Sequence, residues 1–326
     1  MSVAQFPENN LSYLSYYVAD VSEDGSIMLI SSHNTTHSNL YVSDIVSEHK
    51  VQFTLSLERI MFYTPRTTWR NSWIDRLMES TPDSEAIFAD FYKISGLRGV
   101  YLASQLDVGV TEDNIRPSNL STLISFDAGG YWSPIVGPTT DHQGHPTQGC
   151  YQDTNCSLHI AQELSRKYPA TQSIPILTTQ AAPGVVLATG NMGRNLQTKT
   201  SVYMSADAGL SWHQVLQGNY YYNIGDQGEV LVVVKYFKTE GFTNEIMYST
   251  DEGLNWKSHQ FYPTPMRIFG LITEPGENTT IFTMFGTKFQ PGKSIDWIII
   301  KVDLSSVFKI TRIGPRNPQS PTLRMD

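Results

Sequence analysis

Short apolar runs of strand length, most of them opened by a glycine, recur along the chain and dominate its hydrophobic pattern. Runs of this length that are rich in aliphatic and aromatic side chains, bounded by turn residues, are typical of buried β-strands. Helical periodicity is scarce by comparison. The clearest runs are residues 25–30, 99–103, 184–188 and 228–233, with 278–284 as a looser fifth copy. The pattern predicts an all-β fold.

An octet with the skeleton Ser-x-Asp-x-Gly-x-x-Trp occurs three times, each time after a short strand-like run, which places it at a hairpin turn. The Asp carboxylate accepts backbone N–H groups of such a turn, the Gly supplies a positive φ, and the Trp packs on the neighbouring sheet. Three similar copies favour an architectural role over a ligand site. The residues given this structural role are Ser125, Asp127, Gly129, Trp132, Ser205, Asp207, Gly209, Trp212, Ser249, Asp251, Gly253 and Trp256.

The runs and octets divide the chain into five similar units. A unit of ~40 residues with several short strands is typical of a β-propeller blade. We therefore expect one propeller domain over residues 1–308, followed by an unstructured tail over 309–326. In the first unit the turn at Ser43 and Asp44 has lost the Gly and Trp and is a degenerate copy. The units lie at about 14–58, 88–136, 184–217, 219–262 and 266–305.

Helix is expected only in two insertions between units. The insertion 137–182 contains a helical pattern over 157–168, with Ser157 as the N-cap. Its apolar face would consist of Leu158, Ala161, Leu164 and Tyr168. A shorter insertion, 65–84, is predicted to hold a helical turn around 73–78.

Composition and charge narrow the function classes. The 326 residues are 40% hydrophobic and 17% charged, with 23 basic and 31 acidic side chains that give a net charge of −8. An acidic chain without Lys/Arg clusters offers phosphates no electrostatic footprint, which argues against nucleic acid as a partner. No apolar run approaches the ~18–20 residues of a membrane helix. Residues 1–12 are polar and show no secretory signal.

Two cysteines, Cys150 and Cys156, enclose five residues in a polar loop before the predicted helix. In an oxidising compartment they would form a local disulfide; free thiols are the second possibility. A zinc site with His142, His145 and Asp141 is the third, although the spacing matches no usual finger. Five Asn-x-Ser/Thr sequons, which with the cysteine pair favour a secretory-pathway protein, occur at Asn10, Asn34, Asn119, Asn155 and Asn278.

Catalytic motifs are missing from the sequence. It contains no G-x-S-x-G elbow, phosphate-binding loop or H-E-x-x-H helix, so we assign no catalytic, cofactor-binding or metal residues and expect no enzyme. His159 and His213 occur singly and are interpreted as structural. Octets of this type also occur in sialidases, which need an arginine cluster. Here Arg98, Arg116, Arg194 and Arg267 are scattered at unit edges, which leaves an octet-bearing glycosidase only as an alternative.

The octets are Asp-boxes, and the sequence around them resembles the luminal propeller of the sortilin (vacuolar protein sorting ten) receptor family, most of all its SorLA-type branch. The resemblance runs in family order from about residue 14 to 308. The matching stretches are LYVS at 40–43, FADF at 88–91, GLRGVY at 96–101, SFDAGG at 125–130, CSLH at 156–159, APG at 182–184, ATG at 188–190, YSTDEG at 248–253 and LITEPG at 271–276.

The resemblance implies a ten-bladed propeller whose central tunnel binds peptides and propeptides. Such receptors are single-pass membrane proteins that carry cargo among Golgi, endosomes and cell surface, with cytoplasmic adaptors bound by their tail. It also implies that Cys150 and Cys156 form a disulfide. A tunnel-facing strand would fall at Tyr16 and Tyr17, where the local match is poor.

Departures from the family pattern predict a partial receptor. Five units correspond to half of a ten-bladed ring, and the arginine that anchors a ligand carboxylate in the family lies upstream of the matching region. Cysteine-rich modules, membrane helix and sorting tail have no counterpart in the sequence, so a truncated or fragmentary product is expected. A free-standing secreted interaction propeller is the remaining alternative.

Overall fold

The fold is described from a computed structural model, which covers residues 3–7, 16–34, 37–44, 50–63, 88–110, 115–147, 150, 156–162, 176–197, 199–274, 279–288 and 296–308. Within these residues the chain is almost entirely β-structure, arranged in five sheets of three to five strands and one two-stranded sheet. The prediction of an all-β fold is confirmed.

Sheet one follows chain order from one edge to the other. Its strands are β2 (Tyr16–Val21), β3 (Ile27–Asn34), β4 (His37–Ser43) and β5 (Lys50–Leu57), all antiparallel. β1 (Val3–Gln5) adds to the β5 edge in parallel. In β5 the buried Val51 and Phe53 alternate with exposed Lys50, Gln52 and Thr54, because a pleated strand directs successive side chains to opposite faces.

Sheet two has the same order. It contains β8 (Phe91–Lys93), β9 (Tyr101–Leu106), β10 (Leu120–Ser125) and β11 (Ser133–Pro134). Before it, β6 (Phe62–Tyr63) and β7 (Phe88–Ala89) form the two-stranded sheet. A 3₁₀ turn, Pro117–Asn119, leads into β10.

Sheet three differs from the predicted unit 184–217 because it begins earlier. Its first edge is made of two separate strands, β12 (Ser157–Ile160) and β13 (Ile176–Thr178), that pair with successive parts of β14 (Val186–Gly193). β15 (Ser201–Ser205) and β16 (His213–Gln217) complete the sheet. The chain between β12 and β13 therefore interrupts a single edge.

The helix predicted for 157–168 is wrong at its start. Residues 157–160 form β12, antiparallel to β14, and Leu158, His159 and Ile160 are all buried there. Pairing with β14 satisfies the backbone, and burial on both faces outweighs a helical pattern that local sequence alone suggests. Residues 163–168 and the turn predicted at 73–78 lie outside the described residues.

Sheets four and five complete the described fold. Sheet four contains β17 (Tyr220–Gly225), β18 (Val230–Lys235), β19 (Glu245–Ser249) and β20 (Lys257–Gln260). Sheet five contains β21 (Arg267–Thr273), β22 (Ile281–Lys288) and β23 (Asp296–Asp303). Among the described residues the only α-helices are the four-residue α1 (Phe237–Glu240) and α2 (Ser305–Phe308).

Adjacent sheets pack face to face, and each interface is a separate apolar cluster. Leu57 of sheet one packs in one cluster with Tyr101 of sheet two. Ile124 of sheet two shares the next with Val186 of sheet three. The two further clusters join sheets three and four around Met204, Tyr222 and Val233, and sheets four and five around Val232, Ile268 and Phe282.

Candidate functional site

The three octets adopt one hydrogen-bond pattern at the end of β10, β15 and β19. In each, the Ser hydroxyl donates to the Asp carboxylate at 2.8–2.9 Å and accepts the Gly backbone N–H at 2.8–2.9 Å. The carboxylate also accepts the backbone N–H two residues after the Gly, again at 2.8–2.9 Å. The Ser hydroxyl and the Asp carboxylate of each octet are therefore both used within the turn.

The backbone has two successive residues with positive φ in each octet. The Gly positions have φ of 84°, 96° and 80°, and the residue before them, Ala128, Ala208 or Glu252, has φ of 59°, 64° and 59°. The sequence analysis anticipated only the Gly. The backbone N–H of Ala128 donates to the Gly99 carbonyl and that of Ala208 to the Gly184 carbonyl, both at 2.9 Å. The first two octets are thus tied to the glycines that precede the second strands of their sheets, β9 and β14.

Each octet Gly faces the preceding sheet. A Cβ on Gly129 would lie 3.0 Å from Ser56 Oγ of β5, and one on Gly253 would lie 2.7 Å from Val215 Cγ1 of β16. For Gly209 the neighbour is Ile124 Cδ1 of β10, at 2.7 Å. These close approaches leave no room for a side chain, so the octets hold neighbouring sheets together.

The octet tryptophans use their indole N–H differently. Trp132 Nε1 donates to Ser56 Oγ at 3.0 Å, which in turn donates to the Gly129 carbonyl at 2.5 Å. Trp212 Nε1 donates to the Gly209 carbonyl at 2.9 Å and is buried. Trp256 Nε1 is buried and has no hydrogen-bond partner in the part of the chain that the structure describes.

The octet carboxylates have lowered pKa values. The backbone N–H of Tyr131 lowers the pKa of Asp127, and the Asn255 side chain lowers that of Asp251. For Asp207, burial raises the pKa, but the hydrogen bonds from Ser211 outweigh it and the pKa is lowered. Carboxylates held ionised and occupied by their own turn are poorly suited to proton transfer.

Tyr16 and Tyr17 lie on β2, the free edge of sheet one, with 58% and 36% of their surface exposed. Val18 is 55% exposed beside them. The Tyr17 ring lies 6.0 Å from the ring of Phe62. No strand among the described residues pairs with this side of β2. The strand therefore presents aromatic and aliphatic surface at a sheet edge, the arrangement by which edges accept an extended peptide.

A polar network that the sequence did not reveal joins β2 to sheet two. The Asp20 carboxylate accepts a hydrogen bond from the Tyr101 hydroxyl at 2.7 Å and forms an ion pair with Lys93 Nζ at 2.9 Å. Burial raises the pKa of Asp20, but the hydrogen bonds from Lys93 and Tyr101 and the Lys93 charge outweigh burial, so the pKa is lowered. Burial and the Asp20 carboxylate both raise the pKa of Tyr101. The three residues fix the position of β2 against sheet two.

His159 forms a second polar link, between sheets two and three. Its Nδ1 accepts the backbone N–H of Thr122 at 3.1 Å, so Nε2 carries the proton and donates to the Gly193 carbonyl at 3.1 Å. Burial lowers the pKa of His159. The side chain is structural, as its isolated position predicts, whereas His213 lies exposed on β16.

Cys150 and Cys156 form a disulfide, so the thiolates that the zinc alternative needs do not exist. Among the described residues no group of three or more metal-type side chains comes together. The disulfide lies between β11 and β12 in the chain. It follows a hairpin at 139–147, in which Thr140 and Pro146 form an isolated antiparallel β-bridge.

The glycosylation sequons are only partly covered by the structure. Asn119 is half-buried in the 3₁₀ turn before β10, and its side-chain oxygen accepts the backbone N–H of Arg116 at 3.1 Å. Asn34 ends β3, and Asn10, Asn155 and Asn278 lie outside the described residues. As regards the membrane, no helix in the described ranges is both long and apolar enough to span one.

The chain is similar to known receptors of one protein family. The family model described as "Sortilin, neurotensin receptor 3" matches residues 1–271, and the chain belongs to the sortilin–Vps10 family. Sortilin-related receptor from Oryctolagus cuniculus is 37% identical over 297 residues, which cover 90% of this chain and 12% of the receptor. The Homo sapiens sortilin-related receptor is 36% identical with the same coverage. The chain thus spans 12% of the length of these relatives.

More distant similarities extend the comparison. The VPS10 domain-containing receptor SorCS1 from Homo sapiens is 32% identical over 271 residues, which cover 83% of this chain and 20% of the receptor. Among solved structures, an α-L-arabinanase from Penicillium chrysogenum complexed with arabinobiose aligns over 91% of this chain and 96% of its own. Its TM-score is 0.30 at 8% identity, too low to support an argument about fold or activity.

Proposed function

We propose that the chain is the luminal ligand-binding region of a SorLA-like sorting receptor. It binds peptides or propeptides and takes part in moving cargo between Golgi, endosomes and cell surface, without enzymatic activity of its own. Family membership supports the receptor class. The observation that carries the binding proposal is the β2 edge, where Tyr16 and Tyr17 are exposed on a strand that has no outer partner within the described ranges.

The five sheets are proposed to be five blades of a ten-bladed propeller domain within residues 1–308. Two features support this. In each sheet the antiparallel strands follow chain order outward from one edge, and β1 of sheet one adds in parallel at the far edge. Neighbouring sheets approach one another closely near that edge, where Asn223 Nδ2 of β17 donates to the Leu271 carbonyl of β21 at 3.4 Å. Edges that converge in this way are expected around a central tunnel, and Tyr16 and Tyr17 would face it.

The remaining assignments follow the same proposal. The octets are structural staples between blades rather than ligand sites, and the five sequons are glycan acceptors in the lumen. Membrane attachment and adaptor binding belong to the full-length receptor. Residues 309–326, proposed to be an unstructured tail, lie outside the described residues.

A peptide-binding assay tests the proposal. Neurotensin, the peptide named in the description of the family model, serves as the first probe, followed by a library of propeptide fragments, with binding followed by fluorescence anisotropy. Replacing both Tyr16 and Tyr17 by Ser is expected to weaken binding at least tenfold. Tyr131→Ser is the matched control, because Tyr131 is 70% exposed at an octet turn away from β2.

Two results would contradict the proposal. Peptide binding that the Tyr16/Tyr17 variant leaves unchanged would remove the assigned site. Turnover of a fluorogenic sialoside by the purified chain would replace the receptor interpretation with the glycosidase alternative.

A further inference from the structure

A polar groove of about 420 Å³ lies on sheet three, away from the β2 edge. One wall is the 139–147 hairpin and the other is formed by β14, β15 and β16. The hairpin is held in place at both ends. Its base is closed where the Thr147 backbone N–H donates to the Thr139 carbonyl at 3.0 Å, and its tip is linked by His142 to Gln214 of β16 at 3.4 Å. The volume is that of a small-ligand site.

On both walls of the groove a side chain accepts backbone hydrogen bonds from its own turn and so fixes the conformation of that turn. The Asp141 carboxylate accepts the backbone N–H groups of Gln143 and His145, each at 2.9 Å. On the opposite wall of the groove, the Asn191 side-chain N–H₂ donates to the Asn195 carbonyl at 3.0 Å, and its side-chain oxygen accepts the Gln197 backbone N–H at 2.7 Å. A groove with fixed turns loses little conformational entropy when it binds a ligand.

The groove is lined by glutamine amides that are not used in the fold. In the part of the chain that the structure describes, the side chains of Gln143, Gln197 and Gln217 make no hydrogen bond, and all three residues are exposed. Each amide offers an oxygen acceptor beside an N–H₂ donor. A sugar hydroxyl is likewise a donor and an acceptor, so a ligand with several hydroxyls can pair with several of these amides at once.

The charges of the groove do not favour an anion. The carboxylate of Asp141 and the ammonium of Lys199 lie in the same lining and carry opposite charges, so the lining has no excess of positive charge. Apolar surface is also limited, because Tyr203, at the floor, is only 3% exposed. A polar, uncharged ligand fits this lining better than an acidic or an apolar ligand.

We propose that this groove is a binding site for a neutral glycan, of mono- or disaccharide size, held by the amides of Gln143, Gln197 and Gln217. The site is independent of the peptide-binding edge. It would allow the protein to contact the sugar chains of glycosylated cargo in addition to a peptide segment. With no exposed aromatic platform in the lining, binding is expected to be weak, in the millimolar range for a single sugar unit.

The test uses the intact chain, stripped enzymatically of its own N-glycans so that none can occupy the groove. A printed array of neutral, sialylated and sulfated glycans finds the ligands. Saturation-transfer-difference NMR with the best neutral disaccharide then gives the affinity. Replacing both Gln143 and Gln217 by Ala is expected to weaken binding at least tenfold. Gln52→Ala, an exposed glutamine on β5 of sheet one, is expected to leave it unchanged.

Three outcomes would overturn the proposal: no neutral glycan retained above the level of the double variant, retention that the double variant leaves intact, or retention only of sialylated and sulfated glycans that salt abolishes. The last result would assign an anion site at Lys199. Equal melting temperatures of all variants ensure that lost binding is not lost folding. Neurotensin binding measured in parallel separates failure of this site from failure of the peptide-binding proposal.

Discussion

Gly209→Ala is the sharpest test of the interpretation that the octets hold neighbouring sheets together. Gly209 has φ of +96°, and a Cβ placed on it would lie 2.7 Å from Ile124 Cδ1 in the preceding sheet. The substitution therefore adds one methyl group at a position with both an unfavourable backbone conformation and no space.

The expected cost combines these two effects. A non-glycine residue in the left-handed region costs roughly 1–2 kcal/mol. An extra methyl forced into a packed interface costs typically ~1–3 kcal/mol. The lower conformational entropy of the unfolded chain offsets about 0.4–1 kcal/mol of this. We expect Gly209→Ala to lower the free energy of unfolding by about 2–4 kcal/mol.

Gly109→Ala separates the two contributions. Gly109 lies in the exposed turn after β9 and also has a positive φ, +81°, but nothing lies within 4 Å of a Cβ placed there. Its substitution should cost no more than about 1–2 kcal/mol, the backbone contribution alone. Adding Ile124→Val to Gly209→Ala removes the obstructing Cδ1 atom and should recover part of the loss, although Ile→Val alone costs about 0.5–1.5 kcal/mol.

Urea unfolding followed by tryptophan fluorescence gives these values from the midpoints, provided that the slope is unchanged. The interpretation fails if Gly209→Ala costs no more than Gly109→Ala. It also fails if Ile124→Val adds its full cost to Gly209→Ala instead of compensating for it.

Three further predictions concern the polar links and the disulfide. Because burial lowers the pKa of His159 below its ordinary 6.5, the unfolded chain binds this proton more readily; stability is complete above about pH 6.5 and falls as the pH drops below it. His159→Gln should flatten the difference between unfolding midpoints at pH 7.5 and 5.5. Trp132→Phe should cost about 1 kcal/mol more than Trp256→Phe, because only the first indole N–H has a partner. Replacing Cys150 and Cys156, six positions apart, by Ser should cost about 2 kcal/mol, seen as a lower melting temperature.

Each of these has a result that would contradict it. A His159→Gln variant with the same pH dependence as the parent would show that another group titrates. Equal losses for the two tryptophan variants would mean that the hydrogen bond to Ser56 has no net effect on stability. An unchanged melting temperature without the disulfide would show that the loop is already constrained by its neighbours.

A structural feature of this chain can be predicted from the sequence when the contacts that form it are local. The hydrogen bonds of the octet Ser and Asp side chains join residues at most four apart, so repetition of Ser, Asp, Gly and Trp is enough to predict a turn. The positive φ at Ala128 was missed because alanine gives no compositional sign of it. The strand at 157–160 was predicted as helix because its partner, β14, lies about 30 residues away and local periodicity contains no information about that pairing.

The candidate site was predictable to the same extent. Tyr16 and Tyr17 entered only through family resemblance, and their exposure at a sheet edge could not be inferred from the residues themselves. The link between Asp20 and Tyr101 joins positions 81 apart. The groove on sheet three needs a hairpin and three strands to meet. None of these long-range contacts leaves a pattern in a single sequence.

The three octets all close on a partner that lies earlier in the chain. Gly129 contacts Ser56, Gly209 contacts Ile124, and Gly253 contacts Val215. A ribosome synthesises the partner first, and domains generally fold from the N-terminal side during synthesis. When an octet emerges from the ribosome, the strand on which it packs has therefore already been synthesised, and the new sheet can pack on the preceding one at once. The sheets would then assemble in the order of translation, and an incomplete chain would have its earlier sheet–sheet interfaces already formed.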